Sequence, residues 1–139
     1  MYELQANIWV SEVALDGYCV RAVLICDDRQ TVVWDTLSHP QDMDSFLPLI
    51  GDKEFTIIYS HGDWDHVWGT AGLPHHRAQI IGHNSCLDRF ADDIPATLAR
   101  KKNEQPETWQ EVELIAPTLT FQESLSVNLC TSSLDLHHL

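Results

Sequence analysis

The chain has 139 residues, 44% hydrophobic and 21% charged, the make-up of a globular domain large enough to bury its own core. Its 21 acidic and 8 basic side chains give a formal net charge of -13, which argues against binding nucleic-acid backbones or anionic membranes. No stretch has the length of a membrane span, and Met1-Tyr2-Glu3-Leu4-Gln5 lacks the basic start and apolar run of a secretion signal, so a soluble protein of the reducing cytoplasm is expected. Cys19, Cys26, Cys86 and Cys130 form no C-x-x-C pair, which removes zinc-ribbon and thioredoxin readings. The one basic run, Arg100-Lys101-Lys102, reads as a solvated helix face.

Residues 8–13 read as a first strand and 18–26 as a second, in which Tyr18, Val20, Ala22, Leu24 and Cys26 alternate with Cys19, Arg21, Val23 and Ile25. That near-continuous apolarity predicts cover on both faces. Asp27-Asp28-Arg29-Gln30 is a polar turn into a third strand over 31–34, so an antiparallel hairpin is expected. Residues 38–51 carry helix signals: Ser38 as the cap, Pro40 in the first turn, an apolar face of Met43, Phe46, Leu47 and Ile50, and Gly51 at the stop. Pro48 is expected to end or bend that helix early. Residues 55–59 and 77–82 read as buried strands, 84–92 and 95–102 as short helices, and 125–129 with 133–136 as a closing hairpin. The whole reads as one layered α/β domain with mixed strand pairing, spanning residues 1–139.

The segment Tyr59-Ser60-His61-Gly62-Asp63-Trp64-Asp65-His66-Val67-Trp68-Gly69 holds the chemistry. His61, Asp63, Asp65 and His66 fall within six residues, directly after an apolar strand. Imidazoles and carboxylates at this density must be solvated, paired or bound to a cation, and a divalent metal ion satisfies them together. His61 and Asp63 can face one centre, and Asp65 and His66, on a helix start, a second. Two adjacent ions suit a bridging hydroxide, with Asp65 placed to orient or deprotonate the water. Gly62 is expected to permit a sharp turn, and Gly69 a close approach of the following turn.

His-x-Asp-x-Asp-His, after an apolar strand and before Val-x-Gly, resembles the His-x-His-x-Asp-His signature of the metallo-β-lactamase-like hydrolases. Val32-Val33-Trp34-Asp35-Thr36, Ile80-Ile81-Gly82-His83, Pro117-Thr118-Leu119-Thr120-Phe121 and the hairpin through Leu134-Asp135-Leu136-His137-His138 resemble further segments of that family in the same order. The resemblance implies an αββα sandwich, of which this chain matches the N-terminal half: a mixed β-sheet with helices on one face. It implies a metal-dependent hydrolase in which His61, Asp63, Asp65 and His66 bind metal and Asp65 is catalytic. The metal is expected to be zinc, one or two ions, with manganese or iron compatible with a two-His, two-Asp set. Asp63 departs from the pattern, which has histidine there. The family's later ligands lie beyond Leu139, so the domain is expected to be truncated on its C-terminal side.

An apolar inner sheet face without its partner sheet predicts a homodimer or a separately encoded second half-domain. Asp35 reads as a group behind the metal ligands or as a strand-end turn aspartate, and His83 as a hydrogen-bonding structural histidine near the site. Trp64 and Trp68 read as packing residues or as a pocket wall. His75-His76 read as surface loop, and His137-His138 as strand residues or substitute ligands. The expected substrate is a small molecule with an ester, thioester, amide or phosphoester centre. The competing reading is a catalytically incomplete half-domain that binds a partner or dimerises.

Overall fold

In the computed structural model, which describes every residue except Arg29, seven strands form one sheet in strict chain order. They are β1 (Tyr2–Gln5), β2 (Ile8–Leu15), β3 (Tyr18–Cys26), β4 (Thr31–Trp34), β5 (Phe55–Ile58), β6 (Ala78–His83) and β7 (Leu119–Phe121). The first four pair antiparallel and the last four parallel, with β4 belonging to both sets. Connection length decides this. β2–β3 and β3–β4 are joined by short turns, whereas β4–β5, β5–β6 and β6–β7 are joined through helices, as parallel neighbours require. Asp27 and Gln30 close the β3–β4 turn, with Asp27 N donating to Gln30 O (2.9 Å) and Gln30 N to Asp27 Oδ1 (2.7 Å). The rest of that expected turn, Arg29, lies outside the described residues.

One face of the sheet carries the main core. Val20, Ala22, Leu24, Val33, Ile57 and Ile80 point to it from alternate strand positions and pack against the helices. The first of these begins at Pro40, and His39, not Ser38, precedes it: Asp42 Oδ2 accepts a bond from His39 N at 2.9 Å. The expected helix over 38–51 is split, with a 3-10 turn over Pro40–Phe46 followed by α1 (Leu47–Ile50). Pro48 explains the split, since it donates no backbone bond and its ring crowds the carbonyl four residues earlier. Met43, Phe46 and Ile50 still reach the core, fully buried. α2 (Trp64–Val67) follows β5, and α3 (Asn84–Ala91), α4 (Asp93–Glu104) and α5 (Pro106–Trp109) lie between β6 and β7. Trp109 of α5 packs edge-on against Trp64 and Trp68, with ring centroids 5.5 Å away in both cases, and Lys101 of α4 lies over Trp64 and Trp109.

The other face is smaller and partly open. The hairpin of β8 (Ser124–Asn128) and β9 (Ser133–His137) folds across its centre and buries Val32, Ile58 and Ile81 beneath Leu136, Leu125, Val127 and Leu134. The inner face is therefore not the bare apolar surface that the sequence predicts. The chain covers its middle itself, at about 1.5–3 kcal/mol of apolar burial per large side chain. Toward β2 and β3 the same face carries the exposed pair Arg21–Glu12, with Arg21 Nε 2.6 Å from Glu12 Oε2. Cys19 is exposed and Val23 and Ile25 are half-buried there, so β3 is fully covered on one side only.

Candidate functional site

The site forms where the parallel strands end, the usual position in open α/β sheets. Asp35 follows β4, Ser60 and His61 follow β5, and His83 closes β6. Asp35 is 3% exposed and has a φ of 58°, a left-handed conformation that aspartate tolerates better than most residues. Its carboxylate accepts bonds from Ser60 N (2.8 Å), Ser60 Oγ (2.7 Å) and His66 Nδ1 (2.8 Å). The Ser60 hydroxyl proton is thereby used, so Ser60 Oγ accepts from His61 Nδ1 at 2.9 Å. Asp35 thus reaches His66 directly and His61 through Ser60.

This network fixes both imidazoles with the proton on Nδ1 and a lone pair on Nε2. Each lone pair faces a carboxylate. His61 Nε2 is 3.4 Å from Asp63 Oδ2, and His66 Nε2 is 3.9 Å from Asp65 Oδ2. The two rings are 4.1 Å apart. Water can satisfy the half-exposed His61–Asp63 pair, whereas at the more buried His66–Asp65 pair a proton or a cation would satisfy both acceptors. For His66, burial opposes protonation, but the bond to Asp35 and the charges of Asp35, Asp65 and Asp63 outweigh it and raise its pKa above the ordinary imidazole value.

α2 holds Asp65 and His66 in its first turn, with Asp63 at the N-cap. It is strapped to the segment after β4 by Thr36 N to His66 O (2.7 Å) and Gly69 N to Leu37 O (3.1 Å). Gly69 is required there, because a Cβ would sit 1.8 Å from Thr36 O. Gly62 has a different role from the expected one. Its φ is not positive, and its bare Cα instead admits α3 and α4, with Ile94 Cδ1 3.2 Å and Cys86 Sγ 3.6 Å from the position of a Cβ.

Each carboxylate also has a partner that sequence reasoning missed. Tyr18 Oη donates to Asp65 Oδ2 at 2.9 Å, and that bond raises the tyrosine's pKa. Nothing in the alternation of β3 marks Tyr18 for this task. Arg89 Nη1 contacts Asp63 Oδ1 at 2.5 Å, while its Nε and Nη2 hold Asp93 at 3.0 and 2.7 Å. The Arg89–Asp93 spacing is legible as a helical pair, but its reach to Asp63 is not.

The remaining candidates fall into place. His83 caps α3, accepting from Ser85 N at 3.1 Å through Nδ1, and its Nε2 meets Gln122 O at 2.9 Å, so both ring nitrogens are structural. His138 stacks on His83 at 3.6 Å, whereas His137 is exposed on β9. A cleft of about 240 Å³ beside the loop is lined by Ser60, His61, His83, Cys86, Arg89 and His138. Burial pushes the Cys86 thiol up to about 11, which makes it inert near neutrality. Trp64 packs in the tryptophan cluster under Lys101. His75 and His76 lie in a turn just before β6 begins, at the opposite sheet end.

The donor set tests the implied metal. At Asp65–His66 the chemistry fits a cation: a pre-oriented imidazole with a carboxylate beside it. At His61–Asp63 it fits less well, because a guanidinium already holds the carboxylate. Among the described residues no group of three His, Cys, Asp or Glu side chains is arranged to hold a metal ion. Protein metal sites use three or four such ligands.

A comparison with curated protein sequences finds no match. Many solved structures share the fold. A metallo-beta-lactamase from Pontibacter korlensis is 12% identical with a TM-score of 0.65, over 96% of this chain and 57% of that one. A Cronobacter sakazakii metallo-beta-lactamase described by its HARLDQ motif is 17% identical with a TM-score of 0.60, over 92% of this chain and 48% of that one. A stereoselective inverting sec-alkylsulfatase from Pseudomonas sp. is 14% identical with a TM-score of 0.66, over 98% of this chain and 26% of that one. The chain spans about half the length of the first two. The model of the metallo-beta-lactamase superfamily, a hydrolase family, matches residues 18–126, from the start of β3 through the ligand loop into β8, and the chain belongs to that superfamily.

Proposed function

We propose that this chain supplies half of a metal-dependent hydrolase site for a small-molecule ester, thioester, amide or phosphoester. The observation that carries the reading is the Asp35–Ser60 network, which aims the Nε2 lone pairs of His61 and His66 at the carboxylates of Asp63 and Asp65. Superfamily members bind divalent metals, usually zinc. Asp65 and His66 would hold the ion here, most simply zinc, with manganese or iron as alternatives. When bound, such an ion supplies Lewis-acid polarisation of water or of a substrate oxygen. Asp35 keeps His66 in the ligating tautomer, and Tyr18 occupies Asp65 Oδ2. Asp65 Oδ1, without a partner among the described residues, is the atom to accept a proton from the attacking water. His61 and Asp63 form a second donor pair.

Two donors per position fall short of a full ligand set, so the missing ligands come from a second copy or from a complementing second half-domain. Among the described residues no helix is long and apolar enough to cross a membrane, and a cytoplasmic setting is part of the same proposal. A hydrolysis panel over the four substrate classes with added Zn²⁺ or Mn²⁺ tests the reading. The expected result is metal-dependent turnover that Asp65→Ala lowers by about 100-fold or more. Turnover indifferent to Asp65→Ala sinks it. A second reading, a binding or dimerisation module, is motivated by there being no group of three His, Cys, Asp or Glu side chains that could hold a metal ion among the described residues. Metal-free, inert but dimeric protein is the outcome that selects it.

A further inference from the structure

The four loop donors are unequal. Asp65 and His66 face each other with no cation nearby, whereas Asp63 is already bonded to one. The Arg89 guanidinium is fixed from the far side: Nε and Nη2 form a fork on Asp93 Oδ1 and Oδ2, at 3.0 and 2.7 Å. A planar fork gripped at two nitrogens has its third direction set, and Nη1 meets Asp63 Oδ1 at 2.5 Å. The loop backbone is placed for this contact at Gly62, where a Cβ would lie 3.2 Å from Ile94 Cδ1, 3.6 Å from Cys86 Sγ and 3.8 Å from Arg89 Cβ. The close approach of the loop to α3 and α4 brings Asp63 to the arginine.

We infer that Arg89 stands in for a metal ion at the His61–Asp63 pair, so that the loop takes at most one divalent ion per chain, at Asp65–His66. A second ion between His61 Nε2 and Asp63 Oδ2 has to share one carboxylate with a permanent cation. This inference rests on the proposed metal reading of the same loop. It makes Asp63 a partner of arginine and leaves His61 free to line the cleft beside Ser60 and Arg89.

Competition for Zn²⁺ against a chromophoric chelator, with stoichiometry, tests it on the full chain as expressed. Arg89→Met is expected to tighten apparent Zn²⁺ binding about tenfold or more and to add one equivalent. Arg89→Met combined with Asp63→Asn should abolish that gain. Should Arg89→Met fail to fold by circular dichroism, Asp93→Asn releases the fork while keeping the charge, and a smaller gain in the same direction is expected. Zn²⁺ binding unchanged or weaker in folded Arg89→Met, or in folded Asp93→Asn where that variant is used, overturns the inference. So does a wild-type protein that binds two equivalents and loses one in Asp63→Asn, a result that leaves the metal reading intact. His66→Ala without effect on wild-type binding strikes the metal reading instead, and does so independently of Arg89.

Discussion

Asp35 organises the loop without being part of it. One buried carboxylate accepts three bonds, one of them from His66 and one from the serine that orients His61. Replacing it with asparagine keeps the shape but removes the charge and puts a donor where an acceptor is needed. Asp35→Asn is therefore expected to cost about 2–3 kcal/mol of stability, measured by urea unfolding. It should also weaken any metal binding by about 10- to 100-fold, as changes behind a ligating histidine do. The sequence made the four loop donors plain because they are contiguous. Asp35 could be named only as one of two readings, since its place behind the loop depends on β4 and β5 being parallel neighbours. Tyr18 and Arg89 were illegible for a related reason: each reaches the loop across a long stretch of chain, from β3 and α3. Gly69 was legible in kind, as a close approach. Gly62 was not, because local sequence does not say whether a glycine serves a turn or a neighbouring helix.

At the level of elements, periodicity located most strands and the paired helices within a residue or two. It missed the pieces that depend on tertiary support. β1 is a short edge strand whose residues are all exposed, so it leaves no burial pattern to read. α5 is a single turn after Pro106, too short to be stable alone. Its weight lies in Trp109, which is 6% exposed, stacks on His39 at 4.4 Å and meets two further tryptophans under Lys101. This cluster ties α4 and α5 to α2 and so backs the loop from the helix side. Trp109→Ala is expected to cost about 3–5 kcal/mol, read as a lowered denaturation midpoint, with the loss of tryptophan packing visible in near-ultraviolet circular dichroism.

At the scale of the whole molecule, the β8–β9 hairpin alters the case for a partner. It covers the centre of the inner face, so apolar exposure alone is a weaker reason for association than the sequence suggests. The stronger reason is chemical: two well-oriented donors at Asp65–His66 with no third among the described residues. If that site is used, a partner completes it, and metal and association are linked. Native mass spectrometry with Zn²⁺ in small excess reads both quantities in the same ions. The account predicts zinc in assemblies that contain a second copy or a second half-domain, at one ion per chain, and essentially none on the monomer. A fully metallated monomer, or an assembly that forms and stays metal-free, would contradict it.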